Sequence, residues 1–154
     1  MQIPIARCAV RRPRSKTCRS IGTWLPPPVP SEPLGILLLS GAHDRAHYAF
    51  VLASGAAALG RQVVLFATNA GCHALFTDWS GLTDAARDER VRAAGVAGLD
   101  ELREASREMG VRLVACEAGL RAEGLDAARL MPGVEVAGVA TFLAAVGTGQ
   151  IIAI

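Results

Sequence analysis

Three short stretches of almost unbroken apolar sequence limit what this chain can fold into. Residues 34–40 (Leu-Gly-Ile-Leu-Leu-Leu-Ser), 62–68 (Gln-Val-Val-Leu-Phe-Ala-Thr) and 111–115 (Val-Arg-Leu-Val-Ala) are too short to be buried helices. They also lack the polar alternation of a strand with one wet face, so each reads as a strand buried on both sides, the pattern of a parallel sheet covered by helices. Between the first two, Tyr48, Val51, Leu52 and Leu59 recur at helical spacing after Asp44, the expected cap, and Gly60 is a natural stop. Two buried strands joined by one helix make a right-handed βαβ unit.

The rest of the chain continues the alternation. A turn at residues 69–72 precedes a short helix begun by Ala74, Leu75 and Phe76, and residues 78–98 form an irregular excursion with a single helical turn. Residues 99–109 are amphipathic, with Leu99, Leu102, Ala105 and Met109 expected on the buried face and Gly110 as the stop. Beyond Cys116 the sequence predicts a short helix at 119–124, a turn at 126–130, a strand at 134–136 after Pro132-Gly133, and a final strand at 150–154. Residues 138–146 (Gly-Val-Ala-Thr-Phe-Leu-Ala-Ala-Val) make an all-apolar helix that must be buried against the sheet or another subunit. The fold class is α/β with a mainly parallel five-stranded sheet.

The chain's 154 residues, 51% hydrophobic and 19% charged, suit one globular domain with a generous core. Charge divides it. Six of the sixteen basic residues (Arg7, Arg11, Arg12, Arg14, Lys16, Arg19) precede Glu32, the first acidic residue, and a proline-rich run follows them at 26–33. Residues 1–33 are therefore expected to be a disordered tail, and 34–154 the domain. The twin arginine at 11–12 lacks the apolar segment an export signal needs. From Leu34 onward ten arginines face thirteen carboxylates, which argues against a nucleic-acid surface. No apolar run reaches the ~18 residues of a membrane-spanning helix, and a cytoplasmic location is expected.

Four cysteines (Cys8, Cys18, Cys72, Cys116) at irregular spacing fit neither a zinc ribbon nor a disulfide framework, so reduced thiols are expected. Cys116 ends a buried strand just before a new helix, where a parallel sheet exposes chemistry and backbone N–H groups favour a thiolate. Glu117 beside it opposes that charge, leaving backbone dipoles or an arginine such as Arg121 to offset it. Its alternative role is an inert packed cysteine. Cys72 also follows a buried strand and is a candidate second thiol on the same rim. Further candidate neighbours are Ser40 and Asn69 in strand-end loops, His43 as acid/base or anion partner, and Thr141, whose simpler role is to cap the apolar helix. His43-Asp44-Arg45-Ala46-His47 approaches the zinc-protease pattern but has Asp where the general-base Glu belongs, which leaves a metal site of His43, His47 and Cys72 as an alternative. No dinucleotide or P-loop glycine pattern is present, and neither cofactor nor metal is assigned.

Two blocks resemble the DsrE/DsrF-like sulfur-relay family, whose members are also described as peroxiredoxin-like. One is Ala57-Ala58-Leu59-Gly60-Arg61-Gln62-Val63-Val64-Leu65-Phe66-Ala67-Thr68. The other is Gly110-Val111-Arg112-Leu113-Val114-Ala115-Cys116, followed by Val134-Glu135-Val136-Ala137-Gly138-Val139-Ala140-Thr141-Phe142-Leu143. The resemblance implies a three-layer α/β/α sandwich, a homo-oligomer such as a trimer or hexamer, and a carrier cysteine that holds sulfane sulfur as a persulfide. On this match Cys116 is that carrier, passing sulfur between a donor and an acceptor that is a protein or a low-molecular-weight thiol. A non-catalytic oligomeric interaction module of the same fold is the alternative.

Overall fold

The computed structural model describes residues 32–154. The reading of residues 1–33 as a tail lies almost wholly outside the described residues, as do Cys8 and Cys18. Three apolar runs form the centre of the sheet as β1 (Leu34–Leu38), β2 (Val63–Ala67) and β3 (Arg112–Cys116), with β4 (Glu135–Ala137) and β5 (Gln150–Ala153) on its edges. The order is β4-β3-β2-β1-β5 and every pairing is parallel. Val63 through Ala67 are all buried, as the absence of polar alternation requires.

Five helices connect the strands: α1 (His43–Ala58), α2 (Arg87–Ala93), α3 (Leu99–Glu108), α4 (Glu117–Ala122) and α5 (Val139–Val146). Two 3-10 turns, Asn69–Leu75 and Ala127–Arg129, complete them. Their distribution follows from the strand order. From β1 to β4 each crossover steps the same way across the sheet, and with right-handed connections all of these segments fall on one face. The larger core accordingly joins Phe50 of α1, Leu75 of the first 3-10 turn, Leu99 of α3 and Leu120 of α4. Only the step from β4 back to β5 reverses direction, and it lays α5, alone among the described helices, on the opposite face, where Phe142 and Val146 pack with Val64, Phe66, Val114 and Cys116. The molecule is a three-layer sandwich with one thick and one thin outer layer.

The thin layer rests on a close approach. A Cβ on Gly35 would lie 2.6 Å from Val146 Cγ2 and 2.8 Å from Phe142 Cζ, so β1 admits α5 only because it has no side chain there. The Phe142 ring stacks on Phe66 at 5.0 Å between centroids. The expected full burial of this apolar helix is met by one stripe only: Val139 remains 54% exposed and Leu143 51%. A single helix over a five-stranded sheet has nothing in the described residues to cover its outer side.

Three local expectations are corrected. Asp44 does not cap α1. The helix begins at His43, whose N–H is taken by the Thr83 carbonyl at 2.9 Å, while Asp44 accepts from the Arg45 N–H. The buried stripe of α3 is Leu99, Arg103 and Ser106; of the residues expected there Leu99 is buried, Leu102 and Ala105 are half-buried with Leu102 against the core, and Met109 is exposed. Arg103 can be buried because its guanidinium bonds Asp100, the Phe76 carbonyl and Met131 Sδ. The excursion at 78–98 contains α2 and is anchored through the buried carboxylate of Asp88.

Candidate functional site

Cys116 is the last residue of β3 and stands at a division in the fold. It pairs in register with Ala137 at the end of β4, but the two chains leave the sheet in opposite directions. From Cys116 the chain enters α4, whose Leu120 belongs to the thick-face core; from Ala137 it enters α5 on the thin face. The point where adjacent parallel strands part in this way is where open α/β sheets commonly hold ligands. The thiol sits there at 8% exposure, packed near Val114, Phe66 and Phe142. Its Sγ accepts a hydrogen bond from the Gly119 N–H at 3.4 Å. Glu117 is turned to solvent and paired with Arg121 at 2.6 Å, so the neighbouring carboxylate is answered by that arginine.

Cys72 lies on the other side of the strand. It belongs to the thick-face core, fully buried, and donates to the Ala67 carbonyl at 3.4 Å. Burial pushes its thiol up to about 11; the backbone N–H of Cys116 offsets part of this, and the charges of Cys116 and Glu123 add to it. Cys72 and Cys116, the free thiols among the described residues, therefore share a rim of the sheet while facing opposite layers.

The remaining candidates fall into two groups. Asn69 is at the site. It opens the 3-10 turn after β2 with φ of 49°, and its backbone N, with the Thr68 hydroxyl, abuts Gly119 so closely that a Cβ there would be 2.6 and 2.7 Å away. Thr141 is exposed in the first turn of α5, where Gly138 occupies the cap position and no side chain caps, so the capping role expected of Thr141 is not filled. Ser40 serves its own loop, its Oγ accepting from the Ala42 N–H at 3.2 Å.

His43 is committed elsewhere. Completely buried, it meets Asp88 Oδ1 through Nε2 at 3.0 Å and packs beside His47 and Trp79. Asp88 also accepts from the Leu99 N–H at 2.7 Å and pairs with Arg92 at 3.2 Å. Burial alone would raise its carboxyl, but these three partners hold it below the usual carboxylate range. The metal alternative is overturned: His47 Nε2 is engaged by the Ala97 carbonyl at 2.8 Å, and among the described residues no three His, Cys, Asp or Glu side chains gather as a metal site requires. Sequence reading missed Asp88, Thr68 and Gly119. Asp88 lay hidden in a charge-dense run, whereas Gly119, three residues beyond a strand-end cysteine, carried a readable signal.

Comparison with known proteins places the chain in a family. The model of the DsrE/DsrF/DrsH-like family matches residues 76–152, which include Cys116. The sulfur carrier protein DsrE2 of Allochromatium vinosum is 29% identical over 150 residues, 77% of this chain and 94% of the relative. YrkE of Bacillus subtilis, described as uncharacterized, is 27% identical over 147 residues, 75% of this chain and 92% of its own length. Among solved structures, the ychN protein of E. coli superposes over 80% of this chain and 99% of its own with a TM-score of 0.57 at 11% identity, a likeness of fold.

Proposed function

Because this chain belongs to the DsrE/DsrF/DrsH-like family, we propose that it is a sulfur carrier whose working atom is the sulfur of Cys116. The observation that supports this most is the position of that sulfur, at the parting of β3 and β4 with a backbone N–H directed onto it. A hydrogen bond to sulfur favours the anionic form, the form that exchanges sulfur. The Cys116 thiolate attacks the outer sulfur of a donor persulfide, R–S–SH. The new S–S bond forms as the old one breaks, leaving Cys116–S–SH and releasing R–S⁻. Transfer onward is the same exchange with an acceptor thiolate, which takes the outer sulfur and restores the Cys116 thiolate.

The proposed donor and acceptor are a protein or a low-molecular-weight thiol, and the proposed setting is the cytoplasm; no described helix is long and apolar enough to cross a membrane. Asn69 and Thr141 are proposed as rim residues of the site, and Cys72 as a thiol held behind it. A homo-oligomeric interaction module with Cys116 merely packed is the second reading, favoured by the uncovered Val139 and Leu143. The two separate in one experiment. Reduced protein treated with a persulfide donor is expected to gain the mass of one sulfur atom on the Cys116 peptide, and Cys116→Ser to gain none there. No adduct on Cys116 across several donors would leave the interaction module as the surviving reading.

A further inference from the structure

The approach of α4 to the end of β2 is the closest packing at the site, and it turns on Gly119. Its N–H is the donor to Cys116 Sγ, and the space beside its Cα is filled by the Thr68 hydroxyl and the Asn69 backbone N. A methyl group would meet those two atoms at 2.7 and 2.6 Å, with the Thr68 Cα at 3.1 Å behind them. Backbone does not yield as the tip of a flexible side chain does, so any side chain at this position must move α4 away from the strand ends. The sulfur sits on the strand and its donor on the helix, so that displacement lengthens the N–H to sulfur contact.

We propose that Gly119 is a positioning residue for the Cys116 thiol: its missing side chain lets the Thr68–Asn69 strand end hold the α4 backbone N–H on the sulfur. This rests on Cys116 being the carrier. The close fit at Gly119 and the hydrogen bond are separate observations that converge on one atom. Gly119 touches neither donor nor acceptor in this account; it acts through the orientation of its own amide. Thr68 and Asn69 thereby enter the site as a fixed stop against which α4 is set.

The test is the pH profile of Cys116 alkylation, followed on the Cys116 peptide by mass in the full-length reduced chain. Gly119→Ala is expected to move the profile to the alkaline side and to slow alkylation at neutral pH by about tenfold, the scale of one hydrogen bond to a charged group. A purely structural role would leave the profile of the folded variant in place, and that result would overturn the assignment. Should Gly119→Ala fail to fold, Thr68→Ile presses on Gly119 from the strand side while keeping a β-branched residue at the strand end. It is expected to shift the profile the same way by a smaller factor, and an unshifted profile there overturns the assignment equally. Sulfur uptake by the parent chain is read in parallel: its absence overturns the carrier reading, whereas an unshifted profile with uptake intact overturns the role of Gly119 alone.

Discussion

Cys72 lies just beyond the buried strand β2 and Cys116 ends the buried strand β3 at the same rim of the sheet, yet their sulfurs face opposite layers and are bonded differently. Cys72 faces the thick layer and, although the Cys116 backbone N–H also reaches its sulfur, it donates to a carbonyl, a contact that only the protonated thiol can make. Cys116 faces the thin layer and accepts from an N–H, a contact that strengthens when the sulfur carries charge. The difference comes from topology. β2 is followed by a segment on the crowded face, whereas β3 ends beside the one strand whose chain departs to the other side. Proximity to the rim does not decide which layer a cysteine faces; the direction in which neighbouring chains leave the sheet does.

The largest effect expected from this contrast is on sulfur uptake. Cys72→Ser should retain the added sulfur at Cys116 that Cys116→Ser loses, by mass of the treated protein, and loss in both variants would break the distinction between them. The two layers themselves differ next. Phe50→Ala opens a hole in the enclosed thick core and is expected to cost about 3–5 kcal/mol in urea denaturation. Phe142→Ala, whose helix has an uncovered outer stripe, is expected to cost about 3 kcal/mol or less. Equal costs would mean that the outer stripe of α5 is as enclosed in solution as the core.

A smaller effect concerns the Cys72 proton. The folded protein retains it up to about 11, while the unfolded chain loses it near the ordinary value of 9.0. Between those values the unfolded state has shed a proton that the native state still holds, so stability falls as pH rises through the window. Cys72→Ser should fall less steeply over the same range in denaturation midpoints, and parallel curves would remove the burial argument. The smallest effect is at the surface of the thin face, where Arg112 grips Glu135 through two contacts at 2.9 and 2.7 Å. Arg112→Ala is expected to cost less than about 1 kcal/mol, because both partners reach solvent.

Much of the fold was legible because its signals are local. Continuous apolar runs marked the central strands to within two residues, and glycines marked where the helices stop. What escaped depended on partners far away in the chain. Asp44 looks like a cap until Thr83 supplies the carbonyl, and His43 looks like a rim residue until Asp88, 45 positions on, claims its ring. Arg103 is buried in α3 with its guanidinium bonded to the distant Phe76 carbonyl and Met131 sulfur, partners that the local pattern of the helix does not contain.

The sequence by itself determined a parallel α/β sheet with a cysteine at the end of its third strand, since hydrophobic period, chain breaks and residue order are properties of neighbours along the chain. Tertiary structure alone decided on which face Cys72 and Cys116 lie, which amide meets the Cys116 sulfur, and that among the described residues α5 covers its side of the sheet unaided. Those outcomes follow from strand order. The return from β4 to β5 reverses the crossover, and a reversal between strands is a relation in space that no local stretch of sequence contains.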